Sequence, residues 1–179
     1  ILQTIARKHG WELDVAWVNM ATRFGPGAAG GAYGRSINKG ICDIVLGNRI
    51  RSRRETLAGG MPRRKYLANR LLTGMENVLL GQNLGEFHTG MRAYSAQALR
   101  SLPYERFSDG FAFDSELLVA AAYFRMRIGD VPVPTVYTDD CSQIGTAAST
   151  VYAARTVLTV GKYLLQRGRL ARFQMFEPV

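Results

Sequence analysis

Carboxylates are scarce in this chain, and those present are unevenly spread. Lys and Arg number 23 against 14 Asp and Glu, a net charge of +9, and no acidic residue occurs between Asp14 and Asp43. Such an excess predicts attraction to an anion: nucleic acid, a phosphorylated small molecule or a negative membrane surface. No nucleic-acid-binding motif accompanies the charge, which sets nucleic acid aside. Metal-ligating side chains are scarcer still. Cys42, Cys141, His9 and His88 stand isolated without CxxC spacing, which excludes a zinc cluster of the usual ligands and fits a reducing cytoplasm. No run reaches the ~18 to 20 apolar residues that cross a bilayer, and Ile1 to His9 lacks the apolar core of a signal peptide. The chain does not begin with Met, so a fragment of a longer product or an incomplete reading frame is expected.

What is present describes a folded domain. At 179 residues and 47% hydrophobic, one domain can bury a core of its own, and the content of glycine and aromatics fits a mixed α/β protein. Ile1 to His9 reads as a short helix and Leu13 to Val18 as a strand. From Ala21 to Gly40 the chain is crowded with glycine and reads as loop. Gly25, Gly27 and Gly30 match GxGxxG, but Gly31 and Gly34 follow where a helix would have to start, so a dinucleotide-binding turn is rejected.

Asp43 to Gly47 is a short apolar run ended by glycine, the pattern of a buried parallel strand. Its carboxyl end leads to Arg49, placed either for an anion or simply in solvent. Arg51, Arg53, Arg54, Arg63, Arg64 and Lys65 gather around Gly59-Gly60-Met61-Pro62. The helix after it carries Tyr66, Leu67, Leu71, Leu72, Met75, Val78 and Leu79 at helical spacing, a stripe expected to face the core. Cations at a helix start oppose its dipole, so this cluster suits a ligand or surface, with a solvated basic face as the alternative. Met91 to Tyr94 reads as a strand, Ser95 as an N-cap, and Ala96 to Ser101 as a short helix. Phe113 to Met126 reads as an amphipathic helix with Asp114 and Glu116 in its first turn. Asp130 to Tyr137 reads as an edge strand because of its prolines. A last helix over Thr146 to Gln166 aligns Val151, Leu158 and Leu165, with Arg155 and Lys162 flanking; that face suits either a membrane surface or the core.

Five ordered blocks carry a resemblance: DIVLGNR (Asp43 to Arg49), GGMPRRKYLANRLLTGMENVLLG (Gly59 to Gly81), FHTGMRAYS (Phe87 to Ser95), FSDGFAFDSELLVAA (Phe107 to Ala121) and RIGDVPVPTVY (Arg127 to Tyr137). Together they resemble the later half of family 2 glycosyltransferases of the polyprenyl-phosphate, dolichol-phosphate mannosyltransferase-like type. The resemblance implies an α/β, partial GT-A (nucleotide-diphospho-sugar transferase) fold with a mixed, mostly parallel sheet and flanking helices. It divides the chain into an atypical Gly-rich segment (1–40), the carboxy-terminal part of a GT-A domain (41–168) and a basic tail (169–179).

The implied activity is transfer of a hexose from a nucleoside-diphosphate sugar to a polyprenyl phosphate, usually with Mg²⁺ or Mn²⁺. The acidic motif that would hold the metal has no counterpart here: Trp17-Val18-Asn19-Met20-Ala21-Thr22 stands in its place. A chain inactive by itself is therefore expected, the alternative being a non-catalytic lipid-phosphate or membrane-surface binding remnant. By resemblance, Arg49 contacts the donor diphosphate region, and Arg63, Arg64, Lys65 and Arg92 are candidates for phosphate. Asp114 and Glu116 match an acidic motif near the sugar, a role that a helix-start function explains equally well. Ser142 to Gly145 resembles the loop after the final strand. A cytoplasmic chain, peripheral at the inner face of the plasma membrane, completes the expectation, with self-association through an uncovered sheet edge.

Overall fold

The computed structural model describes residues 15–18 (backbone path only), 36–50, 52–110, 112–133, 137 and 145–179. The helix expected over Ile1 to His9, most of the Gly-rich segment, Arg51 and the segment Ser142 to Ile144 lie outside the described residues. Four strands form one sheet: β1 (Val15–Val18), β2 (Ile44–Asn48), β3 (Arg92–Ser95) and β4 (Ile128–Pro132), in the order β1-β3-β2-β4. The ladders of β3 with β1 and with β2 are antiparallel, whereas β2 and β4 pair in parallel. Three strands therefore run one way and β3 alone runs against them.

The helices are α1 (Arg53–Ala58), α2 (Arg63–Leu80), α3 (Ala96–Ser101), α4 (Phe113–Tyr123) and α5 (Thr146–Arg167). Local chemistry sets several of their ends. The Ser52 and Ser95 hydroxyls accept from the backbone N–H of Glu55 and Ala98, capping α1 and α3. Gly81 ends α2 at φ +67, a conformation glycine adopts without penalty. Asn77 then closes the following turn, exchanging hydrogen bonds with both backbone groups of Leu84.

Alternation along the strands divides the core. Ile44, Leu46 and Tyr94 face the larger cluster with Leu80, Phe87, Leu117 and Tyr163, while Val45 and Ala93 face a smaller one with Ile37 and Val133. With both faces covered, β2 is buried from Ile44 to Gly47, as its continuous apolar run requires. A row of paired residues, Val18, Arg92, Leu46 and Asp130, crosses the sheet near the carboxyl ends of β1, β2 and β4.

Two expectations need correction. Instead of being amphipathic, α4 is buried all round from Ser115 to Ala122, because Leu117 to Ala122 offers no polar side to solvent. The expected orientation of α2 is reversed over much of its length. Asn69, Thr73 and Glu76 are buried, whereas Leu67, Leu71 and Val78 are 59%, 66% and 80% exposed. Met75 and Leu79 do pack against the core, so the helix is rotated rather than detached. Its polar stripe faces inward because buried partners await it there.

Where β4 begins, Arg127 grips Asp43 with Nε at 3.1 Å and Nη2 at 2.7 Å, and its backbone N–H also donates to Asp43 at 2.8 Å. The Arg127 hydrogen bonds hold the Asp43 carboxyl below its ordinary value of 3.8. A depressed carboxyl contributes stability that is present above the unfolded-state value and lost as pH falls through the folded one. Asp43→Asn is therefore expected to lower the thermal midpoint at pH 7, with mutant and wild type converging as pH drops below ~4. A gap that stays constant down to pH 2 would show that the carboxylate charge contributes nothing.

Candidate functional site

Because β1, β2 and β4 run in one direction, their carboxyl ends reach the same edge of the sheet. The loop 81–91 and the amino ends of α2 and α4 converge there. Arg49 follows β2 directly and turns back into this edge. Its Nε donates to Glu86 Oε1 at 2.9 Å and Oε2 at 3.1 Å, its Nη2 also bonds Oε1, and its backbone N–H reaches Oε2 at 2.8 Å. Glu86 is wholly buried and also accepts from Asn69 Nδ2 at 2.9 Å. Burial opposes the charge of Arg49, but the Glu86 charge and hydrogen bonds more than offset it, so the guanidinium pKa is raised.

The remaining Arg49 donors meet the His88 carbonyl and, through Nη1 at 3.2 Å, the Tyr137 hydroxyl. Lys65 lies with Nζ 5.4 Å from the centre of the same Tyr137 ring. Tyr137 thus joins the end of β2 to the first turn of α2. Arg63 and Arg64 are exposed on that turn, which has no side-chain cap and no acidic residue. Close approach is enforced beside it: a Cβ on Gly85 would lie 1.9 Å from Asn48 Nδ2 and 2.8 Å from Asp130 Oδ2. The Gly85 N–H donates to Asp130 at 2.7 Å.

Arg92 and Glu116 occupy structural positions. The Arg92 Nε donates to the Thr89 carbonyl at 2.8 Å, Nη2 to Phe87 at 3.0 Å and Nη1 to Asp114 at 2.6 Å. Burial opposes its charge, yet Tyr94, Asp114 and Tyr152 keep its pKa raised. At 3% exposure it fastens the 87–89 loop to α4 instead of offering a fork to phosphate. Glu116, 8% exposed, accepts from the Ser108 N–H at 2.5 Å and so orders the turn before α4. Asp114 differs: its side chain is 38% exposed, with Oδ1 3.6 Å from Arg92 Nη1. Of the two acidic candidates it is the one open to a ligand.

A buried polar chain behind this edge escaped the sequence reading. The Nε2 of His88 lies 3.0 Å from Glu76 Oε2, a contact without hydrogen-bond alignment, and Nδ1 lies 2.9 Å from the Tyr152 hydroxyl. That hydroxyl accepts from Ser115 Oγ at 2.9 Å, and Ser115 lies 3.1 Å from Thr156 Oγ1. Burial pushes the Tyr152 hydroxyl pKa up, with the Ser115 hydrogen bond and Arg92 opposing. The signal was Asn69, Thr73 and Glu76 at helical spacing, repeated by Tyr152, Thr156, Thr159 and Tyr163 in α5.

Among the described residues no three acidic, His or Cys side chains converge as a metal cage.

Three curated proteins set this geometry in context. The chain is 31% identical over 104 residues, 58% of its length and 41% of the relative's, to the UDP-N-acetylglucosamine–dolichyl-phosphate N-acetylglucosaminyltransferase of Methanococcus voltae. It is 32% identical over 98 residues, 55% of its length and 40% of the relative's, to the dolichyl-phosphate hexose transferase of Haloferax volcanii. A low-salt glycan biosynthesis hexosyltransferase, Agl6, of the same organism is 31% identical over 54% of this chain and 23% of its own length. The chain is thus similar to family 2-like glycosyltransferases over about half its length, and the matches span about two-fifths of those relatives or less. No family model and no solved structure matches.

Glu86 is the test of this architecture. Glu86→Ala would leave Arg49 and Asn69 without their acceptor, and loss of one partner of a buried ion pair costs about 3–5 kcal/mol. Urea denaturation should show a loss of that order; a loss under ~1 kcal/mol would mean that Arg49 simply turns to water.

Proposed function

We propose that this chain is the acceptor-side part of a glycosyltransferase that moves a hexose from a nucleoside-diphosphate sugar to a polyprenyl phosphate. The observation that carries this reading is Lys65 beside the ring of Tyr137, whose hydroxyl meets Arg49 at the carboxyl end of β2, with Arg63 and Arg64 exposed on the same first turn of α2. Similarity to two proteins named for dolichyl phosphate supports the acceptor class. A mixed α/β sheet with three strands in one direction is compatible with a partial GT-A arrangement.

In the proposed reaction an acceptor phosphate oxygen attacks the anomeric carbon, and the bond from that carbon to the donor diphosphate breaks. The diphosphate leaves with the electron pair. A phosphate monoester has a second pKa of ~6 and is already anionic at neutral pH, so no protein base is required. Catalysis then rests on positioning and charge. Lys65, Arg63 and Arg64 would seat the acceptor phosphate, while Asp114 would accept a hydrogen bond from a sugar hydroxyl. Arg49, its charge met by Glu86, holds the Tyr137 hydroxyl beside them, and Arg92 and Glu116 hold the loops that frame the site.

No step is assigned to a divalent cation. The described residues offer it no cage, and no carboxylate lies between Asp14 and Asp43. That gap favours a second reading, a non-catalytic module that binds lipid phosphate.

Calorimetric titration with farnesyl phosphate, UDP-N-acetylglucosamine and GDP-mannose, with and without Mn²⁺, separates these readings. Farnesyl phosphate is expected to bind, and the double variant Arg64→Ala/Lys65→Ala to bind it about tenfold more weakly or worse. Affinity no greater than for inorganic phosphate would sink the acceptor assignment. Transfer of labelled hexose to farnesyl phosphate would establish the enzyme over the binding module; tight acceptor binding without donor binding would establish the module.

A further inference from the structure

The opposite end of α2 holds a second basic feature, about 22 Å of helix away from Lys65. A cavity of about 900 Å³ opens where α2, α4 and α5 all terminate. Arg125, Arg167, Arg169 and Arg172 line it, and none of its lining residues is acidic. Among the described residues no carboxylate pairs with any of the four. Arg167 donates to the Tyr163 hydroxyl at 2.6 Å and lies over that ring.

Cations at helix carboxyl ends ordinarily serve the helix dipole. Here none of the four side chains donates to a helix carbonyl among the described hydrogen bonds, so capping does not account for them. Backbone conformation adds to the anomaly. Among the described residues Arg125 and Arg169 alone combine a positive φ, +56 and +59, with a residue other than glycine. Each occupies a left-handed position after its helix, where glycine is the unstrained choice. Four like charges in one cavity repel one another unless an anion joins them.

The surface around the cavity identifies that anion. Leu164 and Leu165 are each 42% exposed and Leu170 78%, all within about one turn of the arginines. Along α5 the exposed stripe continues through Leu158 (65%) and Val151 (55%), with Arg155 and Lys162 between. A soluble anion leaves these leucines in water, whereas a lipid surface covers them and supplies phosphate at the same depth. We propose that the arginine cavity receives the phosphate of an anionic membrane lipid, with α5 lying along the bilayer and its Val151–Leu158–Leu165 stripe among the acyl chains. This inference is independent of the glycosyltransferase reading, whose residues lie at the far end of the sheet.

Co-sedimentation of the whole chain with phosphatidylcholine vesicles, with and without phosphatidylglycerol, tests it. Binding is expected only with the anionic lipid. The triple variant Arg167→Gln/Arg169→Gln/Arg172→Gln should weaken it by about fivefold per arginine, on the order of a hundredfold in all. A control with the same charge loss on exposed arginines elsewhere, Arg53→Gln/Arg54→Gln/Arg100→Gln, should stay within about twofold of wild type. Leu165→Ser should weaken vesicle binding without changing the thermal midpoint. Equal losses in the two triple variants would reduce the effect to diffuse charge and overturn the proposal. Tight binding of inorganic pyrophosphate without any gain on anionic vesicles would also overturn it, leaving a site for soluble anions.

Discussion

A single buried carboxylate, that of Glu86, organises the end of the sheet. An ion without solvent contact must be compensated inside the protein or it neutralises. Glu86 draws on the guanidinium and backbone N–H of Arg49 and on the amide of Asn69, so it binds β2, the 81–91 loop and α2 together. Asn69 is itself tied to Thr73, whose hydroxyl donates to its side-chain oxygen. One helical turn after Thr73, Glu76 meets His88. Once that polar stripe faces inward, Leu67, Leu71 and Val78 have nowhere to go but outward. The apolar surface of α2 follows from the electrostatics beneath it.

Periodicity in the sequence carried much of this fold. Ser95 before Ala96, the apolar run from Ile44 to Gly47, the prolines near Asp130 and the long helix from Thr146 are local signals, and each element begins within about two residues of its expected start, although the strand expected over Asp130 to Tyr137 spans Ile128–Pro132 among the described residues. Polarity was less legible. In α2 the stripes Leu67–Leu71–Val78 and Asn69–Thr73–Glu76 both follow helical spacing, so periodicity alone cannot say which one is buried. Hydrophobicity favours the leucines, and it loses because Glu86 and His88, 17 and 12 positions further on, supply partners for the polar stripe. α5 repeats the pattern: Thr156 and Thr159 are buried while Val157 and Leu158 are exposed.

Candidate site residues were harder to rank because type and position reveal charge but not the partner. Arg49 and Arg92 look equally suited to phosphate in the sequence. In space the fork of Arg49 is engaged by Glu86, and Arg92 is spread over three backbone carbonyls. Asp114 and Glu116 are two residues apart on one helix, so they point to different sides, one toward solvent and the other toward Ser108. The Tyr137 bridge between Arg49 and Lys65 spans 88 positions on one side and 72 on the other, beyond the reach of any local pattern.

These assignments change what the net charge of +9 means. Glu76, Glu86 and Glu116 are buried, Asp43 is clasped by Arg127, and Asp130 accepts from Gly85. Carboxylates spent on internal contacts no longer moderate the surface, which is therefore more basic in places than the sequence total suggests. Two concentrations remain, the first turn of α2 and the end of α5, at opposite ends of the sheet. The first opposes a helix dipole, and the second crowds into one cavity four arginines that no carboxylate pairs with among the described residues. Repulsion among the like charges within each concentration costs stability. Anions bound at both ends would relieve both, and the exposed leucines of α2 and α5 lie on the helices that connect them.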